Sequence, residues 1–330
     1  MKTLAVKYRP KSFEECVGQP TIVSILSRQI ETNKFKNAYL FVGPSGCGKT
    51  SVARIMSNQI NNNQGEPIEI DGASNNGVDN IRSLIIDAQQ TSLDCDYKVY
   101  IIDECHMLTN SAWNAALKLI EEPPSNAIFI FCTTNPMKIP DTIMSRVQRF
   151  DFKRVSKNDI FDRLEFICNE ELYINYDKNA LEIIASQANG FMREAISLLD
   201  KCIDYSNDLS LENVEKVLGL INYDLLIDFT NNIHIKNLKS AFIILDKLKT
   251  INSNNFLLFD NLMSFFIDCV IFQKTLKSDC VNIPKNYTQH INLNINYRTF
   301  VERLFKYRQL LNDINSNDLL NIFIMEMCKE

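Results

Sequence analysis

The sequence predicts an α/β domain built on a parallel sheet with helices on both faces, followed by a region made of helices. Two observations carry the first part. Between Asn37 and Phe152, short apolar strands alternate with stretches of helical spacing, the pattern of a doubly covered parallel sheet. A glycine-rich turn, Gly43-Pro44-Ser45-Gly46-Cys47-Gly48-Lys49-Thr50, joins the first of those strands to a helix. The second part rests on the chain beyond Lys153, where apolar residues recur only at helical spacing.

The elements follow in order. Apolar strands are predicted at 39–42, 68–70, 99–102, 128–132 and 149–152. Helices are predicted between them at 51–61, 78–90 and 111–121. Pro123-Pro124 ends the third helix, and Pro136 with Pro140 bounds a loop. Then come helices at 158–171, 179–188 and 193–206, with Gly190 breaking the last two apart, and further amphipathic helices at 211–218, 238–249, 256–276 and 297–312.

The 330 residues suffice for two or three domains, and 45% hydrophobic with 23% charged residues is an ordinary soluble composition. No apolar run approaches the roughly 18 residues of a membrane helix, and charges and prolines directly after Met1 speak against a signal peptide. A cytoplasmic protein without membrane contact is therefore expected. None of the ten cysteines forms a C-x-x-C pair, and only His106 adjoins one, so no zinc is expected. A net charge of −5 argues against a protein that coats nucleic acid. The first sixty residues nevertheless carry nine Lys and Arg against three Glu, a basic stretch suited to polyphosphate or a DNA backbone.

The turn at 43–50 fills the G-x-x-x-x-G-K-[ST] template, with a strand before it and a helix after it. Backbone N–H groups in such a loop face phosphate oxygens, Lys49 neutralises phosphate charge, and the Thr50 hydroxyl ligates Mg²⁺. A bound nucleoside triphosphate is the expectation. The strand Val99-Tyr100-Ile101-Ile102 ends in Asp103 and Glu104. From a strand beside the phosphate loop, Asp103 would hold the metal through water and Glu104 would orient or deprotonate the attacking water. Thr133-Thr134-Asn135 ends a further strand and could meet the γ-phosphate or that water. Arg146 and Arg193 are candidates for the guanidinium that phosphoryl transfer favours, or else surface residues.

These residues together resemble the ATPase subunits of DNA-polymerase clamp loaders, in particular the bacterial DNA polymerase III gamma/tau family. The likeness lies in Lys7-Tyr8-Arg9-Pro10, Val17-Gly18-Gln19, the phosphate loop, and the stretch from Glu69 through Ser74-Asn75-Asn76-Gly77 to Arg82. It continues through Val99 to Leu108, Asn114 to Pro124, Thr133 to Pro140, Ile143 to Arg146 and Met192 to Ala195. It covers about the first two thirds of the chain.

The resemblance implies an AAA+ fold: a nucleotide-binding α/β domain at 1–154, a helical lid at 155–210 and a helical collar for oligomerisation at 211–330. It implies ATP and Mg²⁺ as ligands. Tyr8 and Arg9 would flank the nucleotide, Val17 and Gly18 would meet its base, and the loop from Gly43 through Thr50 and Ser51 would hold its phosphates. Thr134 would sense the γ-phosphate, and Arg193 would sense it from the lid. Arg146 would be an arginine finger inserted into a neighbouring subunit. Ser74, Asn75, Asn76 and Gly77 would meet DNA phosphates. The implied partners are a sliding clamp, primer–template DNA and other subunits in a pentameric ring.

Two departures from the family pattern stand out. The connector from Gln59 to Pro67 has no cysteines where the bacterial family carries a zinc module, and Val147 replaces the cysteine of its Ser-Arg-Cys motif. With no tau-type extension in view, the chain reads as gamma-like. The competing readings are a DExH helicase from Asp103-Glu104-Cys105-His106, a branch-migration or initiator-type AAA+ motor, and a ring scaffold that binds ATP without hydrolysis. The all-helical second half disfavours the helicase, the stretches 7–10 and 69–82 disfavour the other motors, and intact Lys49, Asp103, Glu104 and Arg193 disfavour the scaffold.

Overall fold

The computed structural model describes residues 3–90, 95–171, 173–219, 223–251, 255–310 and 316–329. The chain divides into two compact units, Met1–Ile167 with Ala188–Asp200, and Cys168–Gln187 with Lys201–Glu330.

The first unit opens with α1 (Leu4–Lys7) and α2 (Pro20–Glu31). It alternates thereafter through β1 (Ala38–Val42), α3 (Lys49–Ile60), β2 (Ile68–Asp71), α4 (Val78–Ala88) and β3 (Lys98–Asp103). After these come α5 (Asn110–Glu121), β4 (Ala127–Thr133), α6 (Asp141–Met144) and β5 (Gln148–Asp151). The five strands form one sheet in the order β2-β3-β4-β1-β5, all parallel. β1 is buried at every position because both faces of the sheet are covered. Alternate side chains serve alternate faces. Tyr39, Phe41, Ile101 and Ile130 pack with Leu26 of α2 and Val52, Ile55 and Met56 of α3. Leu40, Tyr100, Phe129 and Phe131 pack with Ile81 and Leu84 of α4 and Trp113 and Leu119 of α5. Tyr100 stacks on Phe129 with ring centroids 5.1 Å apart. Each such buried aromatic contributes about 2–3 kcal/mol. Thr109 caps α5, its hydroxyl accepting from Ala112 N–H at 3.2 Å.

The strand order corrects one expectation. β3, which carries Asp103, does not adjoin the strand of the phosphate loop; β4 lies between β3 and β1. Sequence alternation fixes that strands are parallel but not which strand is inserted between which.

The chain continues through α7 (Lys157–Glu170), β6 (Asn175–Tyr176), α8 (Lys178–Gln187), α9 (Met192–Tyr205), β7 (Asp208–Leu209) and α10 (Leu211–Leu218). β6 and β7 pair in parallel, a second correction, since only helices were expected here. Two residues per strand are too few to show a period of two. The second unit is completed by α11 (Tyr223–His234), α12 (Leu238–Ile251), α13 (Asn255–Thr275), α14 (Lys285–Thr288), α15 (Tyr297–Gln309) and α16 (Ser316–Lys329). The far end of the helix expected at 297–312 lies outside the described residues.

A third correction concerns α13. Its span Phe256–Thr275, with a mean hydropathy of 1.6, is long and apolar enough to cross a membrane by length and composition. Leu258, Phe259, Leu262, Phe265, Phe266 and Cys269 are buried in one cluster with Phe300, Leu304 and Phe323. Asp260 pairs with Arg308 at 2.7 Å, and the buried Asp268 accepts from Asn282 N–H at 3.1 Å. One side of the helix thus packs into the core, while Phe256, Leu257 and Ile267 are exposed. Asp260 and Asp268 break the sequence into short apolar stretches, which hid it from a search for an unbroken run.

Candidate functional site

The loop between β1 and α3 is held from below by β4 and β5. Gly43 N–H donates to the Thr133 carbonyl at 3.1 Å. A Cβ on Gly43 would lie 2.7 Å from the Phe152 carbonyl oxygen, so the loop can pass here only as glycine. Gly46 has φ +73°, the left-handed region, and a Cβ there would meet Arg193 Cβ at 3.3 Å. Lys49 opens α3 and is 6% exposed. Its Nζ donates to the carbonyls of Gly43 at 2.8 Å and Pro44 at 2.9 Å. Its partners among the described residues are carbonyls rather than carboxylates, so its positive charge stays uncompensated inside the loop. That is the arrangement an anion requires.

Thr50 Oγ1 donates to Asp103 Oδ2 at 2.8 Å, bringing α3 and the end of β3 together across β4. Asp103 Oδ1 accepts from Glu104 N–H at 2.9 Å. Glu104 adopts φ 45° and ψ 42°, an uncommon conformation for a non-glycine residue and one that concentrates at functional sites. Thr134 Oγ1 donates to Glu104 Oε2 at 3.0 Å, and His106 Nδ1 lies 3.2 Å from the same oxygen. Thr133 is fully buried; its Oγ1 accepts from Asn135 N–H at 3.0 Å and lies 3.2 Å from His106 Nδ1. Burial pushes the Cys47, Cys105 and Cys132 thiols up, so these cysteines stay as neutral packing groups.

Of the residues expected around a nucleotide, Arg9 donates from Nε to Ser51 Oγ at 3.2 Å, at the start of α3. Burial lowers its pKa, and the positive charges of Arg54 and Arg193 act in the same direction against Glu69 and Asp103. Arg9, Arg193 and Lys49 thus bring positive charge to one loop. Arg54 itself is paired with Glu69. Tyr8 meets Phe166 edge-on, with centroids 6.5 Å apart, and its carbonyl accepts from Arg163 Nη2 at 2.9 Å. Gly18, at φ +80°, lies against Val155, whose methyls sit 3.0 Å from where a Cβ would be; Val17 beside it is half-buried.

Arg146 is not brought to this loop. It is exposed, paired through Nε with Glu121 Oε1 at 2.7 Å, and donates from Nη1 to the Thr142 carbonyl at 2.7 Å. Ser74, Asn75, Asn76 and Gly77 form the turn from β2 into α4. Ser74 Oγ donates to Asp71 Oδ2 at 2.5 Å, Ala73 N–H donates to Asp71 Oδ1 at 3.0 Å, and the Asn76 carbonyl accepts from Thr109 N–H at 3.1 Å. These hydrogen bonds hold the Asp71 carboxyl below the usual carboxylate range. The turn therefore already carries an internal anion.

The donor set fits a magnesium nucleotide. Mg²⁺ takes hard oxygens and keeps several waters, and the Thr50 hydroxyl beside the Asp103 carboxylate offers such oxygens 2.8 Å apart. Among the described residues no group of three or more His, Cys, Asp or Glu could hold a metal ion. A site that takes most of its ligands from phosphate and water needs no such group.

Residues 18–77 and 68–156 match the family model described as DNA polymerase III, delta subunit. Residues 159–208 match that of the DNA polymerase III clamp loader subunit, ATPase lid domain. The chain is 44% identical over 237 residues to DNA polymerase III subunit tau of Bacillus subtilis, covering 65% of this chain and 42% of that one. It is 37% identical over 241 residues to DNA polymerase III subunit gamma of Buchnera aphidicola subsp. Schizaphis graminum, covering 66% of each. This chain belongs to the DNA polymerase III gamma/tau family. It spans less than half the length of the tau relative and about two thirds of the gamma relative. Among solved structures, the Thermotoga maritima RuvB Holliday junction branch migration motor superposes with a TM-score of 0.55 at 20% identity, covering 72% of this chain and 85% of that one. At that identity the likeness is one of fold, and the fold is AAA+.

In this gamma/tau-family chain, sequence reasoning missed three contributors. Gln19, 5% exposed, donates from Nε2 to the Lys153 carbonyl at 2.7 Å and accepts from Lys153 N–H at 3.2 Å, tying the segment before α2 to the end of β5. Glu121 engages Arg146, and His106 engages Glu104. His106 had a signal, its place three residues after Asp103. The other two pairings span too much sequence to leave one.

Proposed function

We propose that this chain is an ATPase motor subunit of a sliding-clamp loader, working in the cytoplasm. Bound as the magnesium complex, ATP would supply an electrophilic γ-phosphorus whose charge the metal helps to neutralise. The rest of the chemistry falls to the chain. Lys49 and the loop amides hold the phosphates, with Arg193 as a second sensor. Thr50 and Asp103 present oxygens to the metal. Glu104 takes the proton of the attacking water as its oxygen bonds to the γ-phosphorus and the bond to the bridging oxygen breaks, giving ADP and phosphate. Thr134 holds Glu104 at the position where the γ-phosphate is sensed. Tyr8, Arg9, Val17 and Gly18 enclose the rest of the nucleotide.

The observation that carries this reading is the linked set Lys49, Thr50, Asp103, Glu104 and Thr134 at the ends of three parallel strands, in a chain of the gamma/tau family. Arg146 would complete the site of a neighbouring subunit, which accords with its place outside its own. The proposed domains are an AAA+ domain at 1–154, a lid at 155–210 and an oligomerising collar at 211–330. The proposed partners are the clamp, the other ring subunits, which would make a pentamer, and primer–template DNA met through residues 74–77.

The test is steady-state ATPase of the purified chain with candidate clamp and partner subunits, with and without primed DNA. Stimulation that needs both the clamp and a primer–template junction supports clamp loading. Turnover indifferent to the clamp but driven by branched or single-stranded DNA would reject it in favour of another AAA+ motor.

A further inference from the structure

Glu104 is the acidic residue whose placement the backbone leaves strained, and two side chains approach one of its oxygens. Oε2 receives Thr134 Oγ1 at 3.0 Å and faces His106 Nδ1 at 3.2 Å, whereas Oε1 accepts no hydrogen bond among the described residues. The Glu104 carboxylate decides the tautomer of His106, because the Thr133 hydroxyl beside the same Nδ1 can either donate or accept. A carboxylate oxygen can only accept, so an unprotonated Nδ1 would set lone pair against lone pair; Nδ1 therefore carries hydrogen. The Thr133 hydroxyl 3.2 Å away anchors the ring from the buried end of β4. The His106 side chain is itself 13% exposed.

We infer that His106 is a positioning residue for the hydrolytic reaction. By donating from Nδ1 to Glu104 Oε2, it locks one carboxylate oxygen and leaves Oε1 as the proton acceptor for water. Thr134 and His106 approach from two different elements, the end of β4 and the turn after β3, so together they fix the carboxylate against swinging where one donor would not. His106 touches neither water nor phosphate; it acts through Glu104. The inference rests on the proposed role of Glu104.

The experiment is steady-state ATPase of the full chain, with and without primed DNA, in four forms: wild type, Glu104→Gln, His106→Asn and His106→Phe. Asparagine keeps an N–H donor close to the place of Nδ1 and gives up ring volume. Phenylalanine keeps the ring and gives up the donor. ATP affinity and the thermal unfolding midpoint are measured alongside. His106→Phe is expected to lower kcat by about ten- to a hundredfold, the loss of a hydrogen bond to a charged group, with KM and the midpoint near wild type. His106→Asn is expected to keep most of kcat. Activity retained by His106→Phe reduces the residue to packing and overturns the inference. So does loss of activity in both variants when folded, or a rise in turnover in either. Should His106→Phe fail to fold, His106→Asn decides: near-wild-type kcat supports the inference and a large loss overturns it. Glu104→Gln separates the two levels. If it turns over like wild type, the role of Glu104 itself is wrong; if it is inactive and His106→Phe is not, only the role of His106 falls.

Discussion

A pH-dependence that reaches neutrality lies in the second unit, at Glu215. It sits on α10 at 6% exposure, and its Oε1 is buried without a hydrogen-bond partner among the described residues. Burial first, then the negative charges of Asp224 and Glu212, push its carboxyl from 4.5 up to about 7. A folded-state pKa above the unfolded one means that the native state keeps the proton the unfolded chain releases. The associated stability is complete below pH about 4.5 and is lost as the pH rises through about 7. The shift from 4.5 to about 7, at about 1.4 kcal/mol per unit, corresponds to roughly 3 kcal/mol. In a helical unit of this size that moves a midpoint by on the order of 10 °C. Thermal unfolding followed by circular dichroism at pH 5.5, 7 and 8.5 should show the wild-type midpoint falling. Glu215→Gln should hold nearly level, with its advantage over wild type small at pH 5.5 and largest at pH 8.5. Because the chain has two units, the relevant transition is the one the substitution moves. Asp71 and Asp87, whose pKa values are lowered, lie in the other unit and titrate below this window. Parallel pH curves for wild type and variant would refute the reasoning, since ionisation of a buried Glu215 could then not be its cause.

Three further outcomes follow from the site. Gly43→Ala places a methyl 2.7 Å from the Phe152 carbonyl oxygen; a destabilisation of about 1–3 kcal/mol, read by urea unfolding, should accompany weakened ATP binding. Lys49→Ala removes the cation inside the loop and should weaken ATP binding by roughly ten- to a hundredfold or more, measured by titration calorimetry, with the fold retained. Arg146→Ala breaks a half-exposed pair with Glu121, which costs at most about 1 kcal/mol. It should leave stability and ATP affinity near wild type and abolish DNA-triggered turnover, and full stimulation in that variant rules out the finger role.

The sheet was largely legible because fully buried strands are short unbroken apolar runs, and the phosphate loop because its template fixes both the residues and their flanks. All five strands fall within a residue or two of their expected limits. Less legible were elements with little pattern of their own. α2 and α11 gave no expectation, and β6 and β7 are too short to show alternation. The membrane-length apolarity of α13 was masked by Asp260 and Asp268, whose partners Arg308 and Asn282 lie far along the chain. At the site, residue types were visible and pairings were not. Nothing in the order of the sequence says that Arg146 spends its guanidinium on Glu121, or that Gln19 reaches across to Lys153.

The largest gap between sequence and structure is the position of β4, and the site depends on it. With β4 inserted between β1 and β3, one strand end meets the phosphate loop, Glu104 and His106. The Thr133 carbonyl takes Gly43 N–H from the phosphate loop, the Thr133 hydroxyl meets His106, and the Thr134 hydroxyl meets Glu104. Thr50 and Asp103 then close the circuit across it. A displacement of the phosphate loop therefore has a short covalent and hydrogen-bonded route to the acidic residue that would activate water. That route runs through two adjacent threonines, one buried and anchoring, the other partly accessible and able to exchange its partner. Thr133→Val tests the division: it keeps the carbonyl and the volume, so loop geometry and ATP affinity should stay near wild type. Loss of the hydroxyl that anchors His106 should lower turnover alone. A fall in ATP affinity without a change in kcat would mean that the strand supports the loop and nothing more.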